Sequence, residues 1–164
     1  MYKFYHITKN FFAGNYFFAL KFEKNFFGGG FMKFEYDNEI MKLNDSFNDY
    51  KFNVVCDTEE LISVINSDES AMKYFISEWY EEVIDKKIFI VFVRKNNNLI
   101  ACLKISCSGY FEDIVGYKSK FPVNYEEFPV DYDEELIIED WGEKKNLIFL
   151  FPTQKEIDEL LRIQ

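Results

Sequence analysis

The sequence predicts an α+β fold: a mostly antiparallel β-sheet with two consecutive central helices and a C-terminal helix, set out as a single domain over residues 1–164. Three observations carry that expectation. Runs of aromatic and β-branched residues bounded by Gly, Asn or Asp open the chain and return after its middle. Two stretches with apolar residues three and four apart lie together between those runs. The helical patterns are grouped and do not alternate with strands, which argues against a doubly wound parallel sheet.

The elements follow in chain order. Tyr2–Ile7, Tyr16–Glu23, Phe31–Tyr36 and Tyr50–Cys56 read as strands. Lys24 to Gly30, ending Gly28-Gly29-Gly30, reads as a hairpin turn. Asn10-Phe11-Phe12-Ala13-Gly14 is echoed by Asn25-Phe26-Phe27-Gly28-Gly29, as two similar strand-loop units would be. Asp57 and Glu60 have the D-x-x-E spacing of an N-terminal cap and open a short helix through Leu61, Ile62 and Ile65. A second helix is expected from Asp68 to Asp85, with Met72, Phe75, Ile76, Trp79 and Val83 on one apolar stripe. Lys87–Arg94 and Leu99–Ser106 form the clearest hairpin, around Lys95-Asn96-Asn97-Asn98. Tyr110–Lys120 adds a strand, and Leu136–Ile138 and Asn146–Phe151 read as late ones. Thr153 and Glu156 make a T-x-x-E capping box, after which Ile157, Leu160 and Leu161 are expected to form the buried side of the last helix.

Composition narrows the class. Apolar residues make up 48% of the chain and aromatic residues 20%, enough for a substantial core and incompatible with global disorder. The opening Tyr2-Lys3-Phe4-Tyr5-His6 carries no apolar signal-peptide core. The longest apolar run, Ile88 to Val93, is far too short for a membrane span and suits a buried strand. Cys56, Cys102 and Cys107 include no C-x-x-C pair and read as reduced core thiols, so the chain is expected to be cytoplasmic, with no membrane association.

Charge is the strongest functional signal. The net charge of −10 is concentrated in residues 110–143, where eleven acids stand against Lys118 and Lys120. Tyr110, Phe111, Tyr117, Tyr125, Tyr132 and Trp141 are interleaved with those carboxylates. Solvation alone accounts for many acidic runs. Acid mixed with aromatic groups also suits a surface that captures a basic protein, because charge steers encounter and rings anchor interfaces. Phosphate contacts need Lys and Arg, so direct nucleic-acid binding is not expected. Glu126, Glu127, Asp131, Tyr132, Asp133, Glu134, Glu135 and Trp141 are the candidate contacts. If extended, Asp131, Asp133 and Glu135 would line one face and imitate phosphates.

No catalytic constellation competes strongly. One histidine and scattered cysteines give no zinc spacing. Asp131-Tyr132-Asp133-Glu134-Glu135 lacks the glycine of a calcium loop, and Gly28-Gly29-Gly30 lacks the lysine of a phosphate loop. Phe4-Tyr5-His6-Ile7-Thr8 resembles the opening strand of toxin-type ADP-ribosyltransferases, in which a histidine holds the nicotinamide dinucleotide. Gly30-Phe31 would then stand near that family's next strand, although no Q-x-E or E-x-E element stands where its catalytic glutamate lies. The resemblance implies an enzyme using His6 as one alternative; a structural homo-oligomer subunit is another. The leading expectation is a small acidic inhibitor, of immunity or anti-CRISPR type. It would block a basic partner, a toxin or a defence nuclease, without a catalytic site, a metal or a cofactor.

Overall fold

The computed structural model describes residues 32–66, 72–116 and 130–163. The expected strands Tyr2–Ile7 and Tyr16–Glu23, the turn between Lys24 and Gly30, and His6 lie outside the described residues. Within them the fold is mixed α+β: a six-stranded, mostly antiparallel sheet with five helices.

The first described element is a single-turn helix, α1 (Asn38–Met41), whose cap is Asp37 accepting the Ile40 N–H at 3.0 Å. Strands β1 (Asp45–Phe47) and β2 (Tyr50–Val54) follow. Helices α2 (Thr58–Ile65) and α3 (Met72–Ile84) come next as the expected consecutive pair. The Asp57 cap is made as the sequence implied, with the carboxylate accepting the Glu60 N–H at 2.8 Å. Strands β3 (Ile88–Lys95), β4 (Asn98–Ser106) and β5 (Tyr110–Gly116) form an antiparallel meander. The β3–β4 hairpin closes on two residues, Asn96 and Asn97, at φ of 50° and 65°. Those left-handed values are what a two-residue turn needs to match strand twist, and Asn tolerates them better than most side chains.

Helix α4 (Tyr132–Lys144), a short β6 (Ile148–Phe149) and helix α5 (Gln154–Ile163) complete the chain. The strands lie in sequence order, β1-β2-β3-β4-β5-β6, and only β6 runs parallel to its neighbour, pairing Tyr110 with Ile148 and Phe111 with Phe149.

β3 explains the architecture. Its alternate side chains enter two different cores, as the period of a strand requires. Ile88, Ile90 and Phe92 join Leu61, Ile65, Met72, Ile76 and Trp79 beneath α2 and α3. Phe89, Val91 and Val93 join Phe52, Leu103, Phe111, Ile138 and Trp141 beneath α4. Residues 88–93 are all buried because helices cover both faces of the sheet. Each large side chain removed from water in this way contributes about 1.5–3 kcal/mol.

Four local expectations need correction. Of Phe31–Tyr36, the described part is not a strand; it makes one bridge, Lys33 to Asp57, while Phe34 packs into the first core. Leu136–Ile138 is not a strand but the middle of α4, whose buried positions are Glu134, Ile138, Glu139, Trp141 and Gly142. Only Cys102 is a core thiol; Cys56 is half-buried and Cys107 exposed, although all three are free. The apolar residues of α5 are not its buried side, since none of its ten residues is buried. Among the described residues no helix is long and apolar enough to cross a membrane.

Candidate functional site

The acidic stretch resolves into a helix start and a helix–helix junction. Asp133, Glu134 and Glu135 occupy the first turn of α4, where the exposed backbone N–H groups and the helix dipole favour carboxylates. Because this turn is helical, Asp131, Asp133 and Glu135 do not share one face as an extended chain would have them. At about 100° per residue, Glu135 returns close to the side of Asp131 while Asp133 turns roughly 200° away. The Glu135 N–H bonds to the Asp131 carbonyl at 2.9 Å, which fixes that turn.

The second half of α4 uses its acid to hold α5. Glu139 is buried, and both its oxygens accept the Gln154 N–H, at 3.0 and 2.9 Å. It thereby satisfies a backbone donor at the start of α5 that has no partner within the helix. Burial drives the Glu139 carboxyl up to about 7; the Gln154 N–H opposes this, and Glu135, Glu143 and Asp140 add to it. Lys155 bridges Asp140 at 3.0 Å and Glu143 at 3.5 Å, and those contacts keep its ammonium charged beyond the usual lysine range. The Gln154 side chain reaches Glu135 at 3.3 Å. The capping box is reciprocal: Thr153 N–H donates to Glu156 at 2.9 Å, and Glu156 N–H donates to Thr153 Oγ1 at 3.2 Å.

Tyr132 ties the start of α4 to the middle of α5. Its hydroxyl donates to Asp158 at 2.6 Å, and that bond, with the Asp158 and Asp133 charges, raises its pKa while Arg162 opposes the rise. Exposed Asp131, Tyr132 and Asp133 therefore sit beside a helix that exposes Glu156, Glu159, Leu160 and Leu161. The sequence did not place these α5 residues at the surface; its signal was the amphipathic pattern, without the information that Leu160 and Leu161 are exposed.

The other candidate contacts fall elsewhere. Trp141 is fully buried, stacked on Phe52 at 4.5 Å between centroids and edge-on to Phe111. It is a core residue and offers nothing to a visiting molecule. Glu134 is also buried. Glu126 and Glu127 lie outside the described residues. On β5, burial pushes the Asp113 carboxyl up, and Lys104, which faces it across the strands, is bridged to Glu82 at 2.9 Å.

A cleft of about 250 Å³ opens on the other side of the α4 C-terminus, between Ile40, Leu43, Phe89, Cys107, Lys145 and Leu147. Its chemistry is passive. Lys145 is occupied by Asp45 at 3.1 Å and the Lys42 carbonyl at 3.1 Å. Partial burial, and then Asp37, push the Cys107 thiol up, away from the thiolate a nucleophile needs. Among the described residues no cluster of three His, Cys, Asp or Glu side chains is arranged to hold a metal ion. The Q-x-E spacing does occur, at Gln154-Lys155-Glu156, but on the first turn of α5, where Glu156 serves as a cap.

In comparison with known proteins, the chain matches no family model, no curated protein and no solved structure.

Proposed function

We propose that this chain is a small inhibitor, of immunity or anti-CRISPR type, that captures a basic, nucleic-acid-handling protein by charge complementarity. A toxin enzyme and a defence nuclease are the two partner classes with the required basic surface. One observation carries the reading: Asp133, Glu156 and Glu159 are exposed at a junction whose cations are few. Residues 130–163 hold ten acids against Lys144, Lys145, Lys155 and Arg162. Of those four, Lys144 and Lys145 pair with Asp45, and Lys155 pairs with Asp140 and Glu143. A net negative segment accelerates encounter with a positive surface and repels nucleic acid and anionic lipid.

The experiment is a pull-down at low salt from the native cell or its parasites, with elution at high salt, followed by titration of the recovered protein. Exposed charge interactions are screened over about 10 Å at 0.1 M salt, so affinity should fall steeply as salt is added. Asp133→Lys with Glu156→Gln and Glu159→Lys should abolish capture while the circular dichroism spectrum is kept, since the amide of Glu156→Gln retains the capping box. Affinity indifferent to both salt and charge reversal would defeat the reading.

A second reading has its own support. Ile148 and Leu150 are 55% and 58% exposed beside the edge strand, and Ile163 is 83% exposed. Uncovered apolar area of this sort also suits a homo-oligomer subunit. Sedimentation over a hundredfold concentration range separates the two, because only the oligomer changes mass.

A further inference from the structure

We infer that the apolar stripe of α5, framed by carboxylates, is the seat of a basic amphipathic helix belonging to the captured protein. This rests on the charge reading above and names the part of the partner that would dock.

The helix is turned the unusual way. Amphipathic helices of globular proteins lay their apolar stripe on the core. The hydrogen bonds from α5 to α4 run through Gln154, Lys155 and Asp158, which are polar. Ile157, Leu160 and Leu161 stand at the three-and-four spacing of one helix face; among the described residues Ile157 is half-buried, while Leu160 is 63% exposed and Leu161 64%. The short apolar ridge they form is what a second helix reads with its own i, i+3 and i+4 side chains.

Charge selects the occupant. At about 100° per residue Glu156 and Asp158 stand to either side of the stripe and Glu159 on the far face, while Asp133 is next to Tyr132, which bonds Asp158. Two copies of α5 facing each other would bring these carboxylates together, and like charges across an interface are unfavourable. An anionic membrane is opposed for the same reason. A helix with Leu on one face and Lys or Arg flanking it satisfies both features: its apolar face covers Leu160 and Leu161, and its cations meet the acids. Surfaces that bind nucleic acid commonly present such basic helices.

The test uses the full chain and a synthetic Leu/Lys amphipathic helical peptide, with a scrambled peptide of the same composition and a Leu/Glu analogue as controls. Fluorescence anisotropy gives affinity, and amide chemical shifts locate the site. Saturable binding of the Leu/Lys peptide, with shifts confined to α5 and the start of α4, supports the inference. Leu160→Asn with Leu161→Asn should weaken binding roughly tenfold or more, since exposed side chains can be changed without touching the core. Equal binding of the scrambled peptide, or no effect of the double Asn variant, overturns the docking site while a salt-sensitive charge reading survives. Binding that needs the leucines but ignores Asp133→Lys with Glu156→Gln, which keeps the cap, overturns the charge reading and with it a basic occupant. Self-association that the double Asn variant removes assigns the stripe to a second copy and overturns the inference.

Discussion

Replacing Glu139 by Gln should flatten the dependence of stability on pH. The carboxyl is 1% exposed and is driven up to about 7 from an ordinary 4.5, chiefly by burial. The folded chain therefore holds this proton more tightly than the unfolded chain does. The resulting stabilisation is complete below about pH 4.5 and is lost as pH rises through 7. Weighing the two protonation equilibria gives a loss of about 2–3 kcal/mol between pH 5 and pH 8. Asp140 and Glu143, two of the three like charges, are partly exposed and neutralised by Lys155, so screening reduces this to about 2 kcal/mol. In Glu139→Gln the amide oxygen still accepts the Gln154 N–H, and no proton is exchanged. Urea denaturation of both proteins at four pH values isolates the term. Glu60 and Asp113, whose carboxyls burial also raises, are common to both chains and cancel in the difference. The native chain should lose about 2 kcal/mol more than the variant from pH 5 to pH 8. Parallel curves would refute the argument that burial and neighbouring acid dominate at this carboxylate.

Four further outcomes follow from packing and capping. Trp141→Ala should cost about 3–5 kcal/mol in urea denaturation, because it opens a cavity between Phe52 and Phe111. Trp141→Phe should cost far less: it keeps a ring on Phe52 and removes an indole N–H that is buried without a partner. Gly142→Ala should destabilise by about 1–3 kcal/mol even though Ala is the better helix former by about 1 kcal/mol. An added Cβ would stand 2.8 Å from Phe149 and 3.1 Å from Phe111, and a variant with raised melting temperature would show that those rings yield freely. Asp57→Ala should cost about 1 kcal/mol by leaving the Glu60 N–H without its acceptor, read by the same denaturation.

Features specified by neighbours along the chain were legible in the sequence. The Asp57 cap, the Asn96-Asn97 turn and the reciprocal Thr153–Glu156 box each depend on side chains within three residues of the backbone they organise. β3 was legible too, because a strand covered on both faces carries an unbroken apolar run. α4 was not. Its inward positions include Glu134, Glu139 and Gly142, residues that break an apolar helical pattern, while adjacent Ile137 and Ile138 imitate a strand. Glu139 points inward for a reason fifteen residues away, the Gln154 N–H, and no local rule exposes such a partner. Trp141 failed as a candidate contact on similar grounds: a ring among carboxylates reads alike whether it faces water or Phe52.

The acid of residues 110–143 therefore has two roles that composition merges. Asp140, Glu143 and Glu139 are occupied in seating α5, through Lys155 and the Gln154 N–H, and Glu135 takes the Gln154 side chain. A partner cannot recruit these groups without first releasing the helix that carries the apolar stripe. On the proposed reading, the charge left for a partner is much smaller than the net −9 of that stretch, and it lies at Asp133 and on α5. A surface with so few engaged carboxylates gains most of its encounter rate from the long-range field and most of its residence time from apolar cover. On this argument the charge-reversing variants Asp133→Lys and Glu159→Lys should act mainly on association. Polar substitutions at Leu160 and Leu161 should act mainly on dissociation, and that division is what a coupled acid-and-stripe surface requires.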